Sequence, residues 1–276
     1  MTGLAGVDRT GAPLTGVALA AGAGTRLRPL TTLQPKALCP IDNVALLDRA
    51  LDGLRPHVDD IAVNAHHHAQ RIVEHVDGRA HVSVEQPGAL GTAGALGNLR
   101  DWIDGRDVLL CNADAYLTGG LDHLVDGWDR QRCRLLVTTV PGTGDFTDGN
   151  GVPVRYVGAC LLHWRLVSGL TAEPSGLYEV LWRRESDAGR LDVVHHTATA
   201  IDCGTPADYL RANLHASGGR SVVGHDAVIE GRIERCVVWP NGYVGADEHL
   251  VDCIRAGTRS DPLTVPAAPA VVRWRR

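Results

Sequence analysis

Two rhythms of apolar residues alternate through the first half of the chain. Apolar, strand-like runs lie at 16–20, 60–64, 81–85, 108–112 and 134–140. Between them, stretches at 45–54, 69–75, 93–102 and 121–128 repeat their apolar residues at helical spacing. This alternation predicts βαβ units, hence an α/β fold with a mainly parallel sheet covered by helices on both faces. Residues 141–153 are dense in glycine and proline and read as a loop. A strand is expected over 154–162, a helix over 177–185 and a strand over 191–195. Thr205-Pro206 then opens a helix, with Thr as cap and Pro in the first turn.

Past the linker Ser217-Gly218-Gly219 the rhythm changes. Val223 and Ile229 stand one hexad apart, as do Val238, Val244 and Leu250, with glycines between them. That spacing fits two or three coils of a parallel β-helix, although ordinary hairpins in a tail carry the same pattern. So short a stack cannot bury its own face. It is expected to lean on the main domain or on another chain, which makes it a contact surface for a homo-oligomer. The expected division is a flexible stretch over 1–15, a main domain over 16–217 and a β-helix-like tail over 218–276.

Bulk properties narrow the function. A formal net charge of −5 gives no reason to expect nucleic acid or membrane as partner. The seven cysteines are scattered and form no C-x-x-C pair. They read as reduced thiols of a cytoplasmic protein, not as a disulfide framework or zinc site. Residues 1–13 lack the basic start and apolar core of a signal peptide.

Chemistry concentrates where the first strand ends. Val17-Ala18-Leu19-Ala20-Ala21 runs into Gly22-Ala23-Gly24-Thr25-Arg26-Leu27-Arg28-Pro29, and Gln34-Pro35-Lys36 follows. A strand feeding a glycine turn backed by cations is a polyphosphate cradle: turn amides donate to phosphate oxygens and the side chains supply charge. A P-loop is excluded, since Lys36 lies far beyond Gly24 and no Ser or Thr follows it. A dinucleotide fingerprint is excluded because its third glycine position is Leu27. Asp114, just past a strand, sits where an acid can hold Mg²⁺ against phosphates. His66-His67-His68 invites a metal reading, but adjacent histidines on a regular element point in different directions, so a solvated loop is the default.

In these residues the chain resembles a family. G-x-G-T-R-L-x-P-L-T followed by P-K is similar to the signature loop of the sugar-1-phosphate nucleotidyltransferases. Asn112-Ala113-Asp114 resembles their N-G-D element, and Asp202-Cys203-Gly204-Thr205-Pro206 their D-x-G-T-P element. The loop and tail look like mannose-1-phosphate guanylyltransferases. The compact middle and Tyr156-Val157-Gly158 look like the short N-acetylmuramate-1-phosphate uridylyltransferases.

The resemblance implies a Rossmann-like catalytic domain and a hexapeptide-repeat, left-handed β-helix tail. It implies that an NTP (GTP, UTP or dTTP) and a sugar-1-phosphate meet over Mg²⁺ held by Asp114 and Asp202. Ala20, Ala21, Gly22, Gly24 and Thr25 would bind the nucleotide, with Gln86, Gly91 and Thr92 reading its base. Arg26 and Lys36 would be catalytic, and Gly158 would face the sugar phosphate. The family's E-K-P element is missing from the shortened stretch 141–158. A nucleotide-sugar-binding regulatory chain without turnover therefore stands as the second reading.

Overall fold

The computed structural model describes residues 13–267. Most of the stretch expected to be flexible, residues 1–12, lies outside the described residues, as do residues 268–276 of the tail. Val17 and Ala18 point to opposite faces of the strand Leu14–Leu19 and both are fully buried, which requires cover on each side. Leu14 and Thr15 thus belong to the sheet.

This strand lies inside an eight-stranded sheet. On one flank it pairs in parallel with Ile61–Ala65, and that strand pairs in parallel with His81–Val84. On the other flank it pairs in parallel with Asp107–Asn112. Pro153–Leu162, Cys133–Thr139 and Leu191–His195 follow outward in that order. The connections reverse direction at Leu14–Leu19 and Asp107–Asn112, and a crevice opens beyond the ends of these two strands.

The sheet is more mixed than the alternation implied. Pro153–Leu162 runs antiparallel to Asp107–Asn112, to Cys133–Thr139 and to the short strand Phe146–Thr147. The cause lies in residues 140–152. They carry no crossover helix, so the chain turns back as a hairpin, whereas a parallel return needs a long crossover.

Helices cover both faces. Leu96, Leu99 and Ile103, from the helices Gly91–Asn98 and Arg100–Ile103 and the turn between them, pack against Val17, Val108 and Leu110. Leu47, Leu51, Ile72 and Val76, from Leu46–Leu54 and Ala69–Val76, pack against Ala18, Val63 and Leu109. The stretch expected to be helical over 121–128 forms a single turn, Asp122–Val125. That over 177–185 opens as a π-helical turn at Tyr178–Trp182.

A third core lies under the crevice. Leu27, Leu30, Ile41, Tyr116 and Tyr209 share it with Val237, Trp239 and Ile254 of the tail. In the tail, short strands pair in parallel with the next turn of chain: Val222 with Val237, Val228 with Tyr243, Arg232 with His249, and Val237 with Ile254. The steps between partners fall short of three full hexads, and the last strand, Pro262–Pro266, returns antiparallel. Of the hexad positions, Val238 and Val244 are buried and Ile229 and Leu250 half-buried, but Val223 is exposed at the outer end.

The tail is bolted to the helix Pro206–Ala216. Trp239 Nε1 donates to the Tyr209 hydroxyl at 3.0 Å, and that hydroxyl donates to the Pro40 carbonyl at 2.5 Å. Trp239→Ala is expected to cost about 3–5 kcal/mol, as for other buried aromatic truncations. Urea unfolding reads this directly, and an unchanged midpoint would show the coil to be decoration on an independent domain.

Candidate active site

The glycine loop leaves the first strand at Leu19 and is fixed at once. The Ala20 amide donates to Asn64 Oδ1 at 2.7 Å, and Asn64 Nδ2 donates to Glu85 Oε1 at 2.8 Å. The other Glu85 oxygen accepts from the Leu90 amide at 2.8 Å. Asn64 and Glu85 are both buried, so each must be partnered. Together they tie the cradle to the turn before the helix Gly91–Asn98. Sequence reading missed both as site residues, because each is only a polar residue at a strand end until pairing of the strands brings them together.

Gly24 has φ of +58°, and a Cβ there would lie 2.8 Å from Thr31 Cγ2 and 2.9 Å from Lys36 Cβ. The lysine stem therefore runs hard against the loop, which only glycine permits. Lys36 opens a single 3₁₀ turn, Lys36–Leu38, and its side chain is 6% exposed. Its ammonium donates to Asp114 Oδ2 at 2.9 Å and to Asp202 Oδ1 at 3.1 Å. Arg26 Nη2 donates to the other oxygen of Asp202 at 3.0 Å.

A two-stranded ladder brings the acids together. Ala115–Leu117 pairs antiparallel with Ala200–Asp202, placing Asp202 opposite Ala115. The Cys203 amide then donates to the Asp114 carbonyl at 3.2 Å. Burial pushes the Asp202 carboxyl upward, but Lys36 and then Arg26 outweigh it and hold it below the usual carboxylate range. Burial opposes the charge on Lys36, and Asp114 and Asp202 outweigh it to hold its pKa above the ordinary lysine value. Burial pushes the neighbouring Cys203 thiol up to about 12, so it stays protonated at neutral pH.

Two adjoining clefts form the crevice. Ala20, Gly24, Thr25, Arg26, Lys36 and Gly204 line the first. Ala21, Asn64, Gly91, Thr92 and Asn112 line the second. Leu19, Gly22 and Asp114 line both, so they form one groove. Thr92 is partly engaged: its hydroxyl accepts from the Leu177 amide at 2.8 Å. Gln86 is exposed and lines neither cleft. Gly158 lines neither as well. It lies where the register of Pro153–Leu162 shifts, with φ of +111° and its Cβ position 3.5 Å from Asn112 Cβ, so it backs a groove residue. In the histidine run, His66 Nδ1 donates to the Glu85 carbonyl at 3.0 Å. Among the described residues no three His, Cys, Asp or Glu side chains gather as a metal cluster.

Residues 16–227 match the family model of the MobA-like NTP transferase domain. The chain belongs to this family. It is therefore a nucleotidyltransferase, and its relatives are named accordingly. It is 29% identical over 236 residues to the N-acetylmuramate alpha-1-phosphate uridylyltransferase of Caulobacter vibrioides, covering 73% of this chain and 96% of that one. It is 31% identical over 261 residues to a Sulfolobus acidocaldarius protein named mannose-1-phosphate guanyltransferase, covering 83% of this chain and 70% of that one. The solved structure of a mannose-1-phosphate geranyltransferase from Thermus thermophilus shares the fold. Its TM-score is 0.69 at 18% identity, over 92% of this chain and 95% of that one.

Within this groove, Gly204 is the residue whose replacement separates fold from candidate site. A Cβ there would lie 2.7 Å from Arg26 Nη2 and 2.9 Å from Asp202 Oδ2. Those atoms end flexible, exposed side chains, so Gly204→Ala displaces the pair without disturbing the core. The expected outcome is an unchanged thermal melt with weakened nucleotide binding by calorimetry. Unchanged binding would show that the Arg26–Asp202 geometry is incidental.

Proposed function

We propose that this chain joins a sugar-1-phosphate to an NTP, giving a nucleoside-diphosphate sugar and pyrophosphate. The observation that carries this reading is the meeting of Arg26, Lys36, Asp114 and Asp202 at one end of a groove floored by the glycine loop. Two relatives named for sugar-1-phosphate substrates support it.

The sugar phosphate's oxygen attacks the α-phosphorus in line, and the bond to the β-phosphate oxygen breaks. Such transfer needs alignment and charge stabilisation and no protein nucleophile. Gly22, Gly24 and Thr25 approach the phosphates with their backbone. Arg26, 66% exposed at the groove mouth, is free to follow the leaving pyrophosphate. Lys36 holds the α-phosphate and the incoming oxygen. Ala20 and Ala21 border the nucleoside, and Gly91 and Thr92, with Gln86 closing over from outside, read the base. Gly158 acts on the sugar side through Asn112, which it backs.

The two acids fit a divalent cation. Oxygens of both already converge on one cationic group, the Lys36 ammonium, both carboxylates are about half exposed, and Asp114 lines the groove. Two carboxylates with room for phosphate oxygens suit Mg²⁺, which binds few protein ligands and keeps its other positions for phosphate and water. Such an ion would polarise the α-phosphate and absorb developing charge. The tail, in this reading, is an abbreviated hexapeptide-repeat coil that braces the loop carrying Arg26 and Lys36. The parallel pairing of each short strand with the next turn of chain, and the apolar cluster the tail shares with Leu27 and Leu30, support it. A binding-only chain would have less need for both acids and both cations.

Pyrophosphate release, measured across GTP, UTP and dTTP with mannose-, glucose- and N-acetylmuramate-1-phosphate, tests the proposal. At least one pair should turn over, and silence across a full panel of NTPs and sugar phosphates would overturn it. With the productive pair, Arg26→Ala should cut kcat about 10²–10³-fold, the usual loss for one transition-state charge partner. A rise in sugar-phosphate KM with kcat untouched would contradict the role given to Arg26. Asp114→Asn and Asp202→Asn should each abolish Mg²⁺-dependent turnover, and retained activity in both at limiting Mg²⁺ would remove the metal from the account.

A further inference from the structure

Lys36 is the only lysine in the chain; all other members of its 27 Lys and Arg residues are arginine. This one ammonium sits between Asp114, which lines the groove, and Asp202, at 2.9 and 3.1 Å, under two half-exposed carboxylates. Arg26 takes the remaining Asp202 oxygen at 3.0 Å. Both acids are thus neutralised from within the protein before any ligand arrives. A divalent cation on the same oxygens would lie within a few ångströms of the ammonium, and like charges at that range repel strongly in a partly desolvated groove.

We propose that Lys36 is the resident counter-ion of the acid pair in the free protein, so that a divalent cation loads only with the nucleotide, whose phosphates draw Lys36 off the carboxylates. The inference rests on the metal role given above to Asp114 and Asp202. The geometry supplies the exchange route: the Lys36 stem runs against Gly24, so a phosphate seated on the glycine loop comes beside the ammonium's own path. The residue type supplies the mobility. A guanidinium fork grips a carboxylate bidentately, whereas an ammonium is a compact charge on a flexible stem that can change partners. In a chain that uses arginine everywhere else, the exception falls where the cation must move. Metal and nucleotide affinities are then coupled, each raising the other by the same factor.

The single ε-amine makes the test direct. Protein grown on lysine labelled with ¹³C at Cε gives one lysine side-chain signal, from Lys36 itself. Mg²⁺ alone should leave that signal in place, at a concentration that moves it when a non-cleavable NTP analogue is also present. Movement by Mg²⁺ alone to the ternary position overturns the proposal. In parallel, Mn²⁺ binding by electron paramagnetic resonance compares wild type with Lys36→Met and Lys36→Gln, which keep the stem. Without nucleotide, at least one variant should bind Mn²⁺ about tenfold or more tighter than wild type, as expected for removing a charge-assisted competitor. Equal affinity in wild type and both variants also overturns it. Asp114→Asn and Asp202→Asn separate the two readings. If they bind Mn²⁺ with nucleotide as wild type does, the metal assignment fails. If they lose Mn²⁺ while the Lys36 variants match wild type, only the counter-ion proposal fails.

Discussion

A buried ammonium must have its charge met where it lies, and in this protein that requirement joins three distant parts of the chain. Lys36, on a short turn after the glycine loop, finds Asp114 beyond a central strand and Asp202 at the end of a peripheral ladder. Much of the local structure follows from holding these together. Gly24 must lack a side chain so that the lysine stem can pass. Gly204 must lack one so that Arg26 can reach Asp202. The ladder of Ala115–Leu117 with Ala200–Asp202 sets the spacing of the two acids while its Tyr116 and Ile201 pack into the third core.

Much of the candidate site is legible in the sequence because its residues sit in ordered runs at strand ends, where an α/β sheet presents ligands. Arg26, Lys36 and Asp114 stand out in those runs, Asp202 only through the resemblance carried by Asp202-Cys203-Gly204-Thr205-Pro206, and the structure brings the four side chains together. The supports were not legible. Asn64 and Glu85 become a pair only because Ile61–Ala65 lies beside His81–Val84, a long-range pairing with no local signature. The resemblance points to Gly158 on the sugar side, and its place at a register shift behind Asn112 is a geometry that only the partner strands set. The hairpin of Cys133–Thr139 with Pro153–Leu162 was visible as a glycine-rich interval. Its consequence for sheet direction is not legible there, because strand periodicity carries no information on polarity.

The tail illustrates the same division. Its changed rhythm was readable, but the paired steps fall short of full hexads and Val223 faces outward, so the register had to come from the fold. The reason for the tail's presence is clearer in packing than in pattern. Trp239 and Val237 close the apolar cluster that also contains Leu27 and Leu30, the two leucines that anchor the chain on either side of Arg28-Pro29. The coil thereby packs against the same segment that carries the two cations. A cluster shared in this way couples stability of the coil to precision at the groove.

Diffraction from crystals grown with Mn²⁺ and a non-cleavable NTP analogue tests the central claim most directly, because anomalous scattering locates the metal without assumption. The account predicts a Mn²⁺ peak between Asp114 and Asp202, phosphates on the Gly22–Thr25 loop, and the Lys36 ammonium moved from the carboxylates to the α-phosphate. A nucleotide bound elsewhere, or a metal held away from both acids while Lys36 still bridges them, would contradict it.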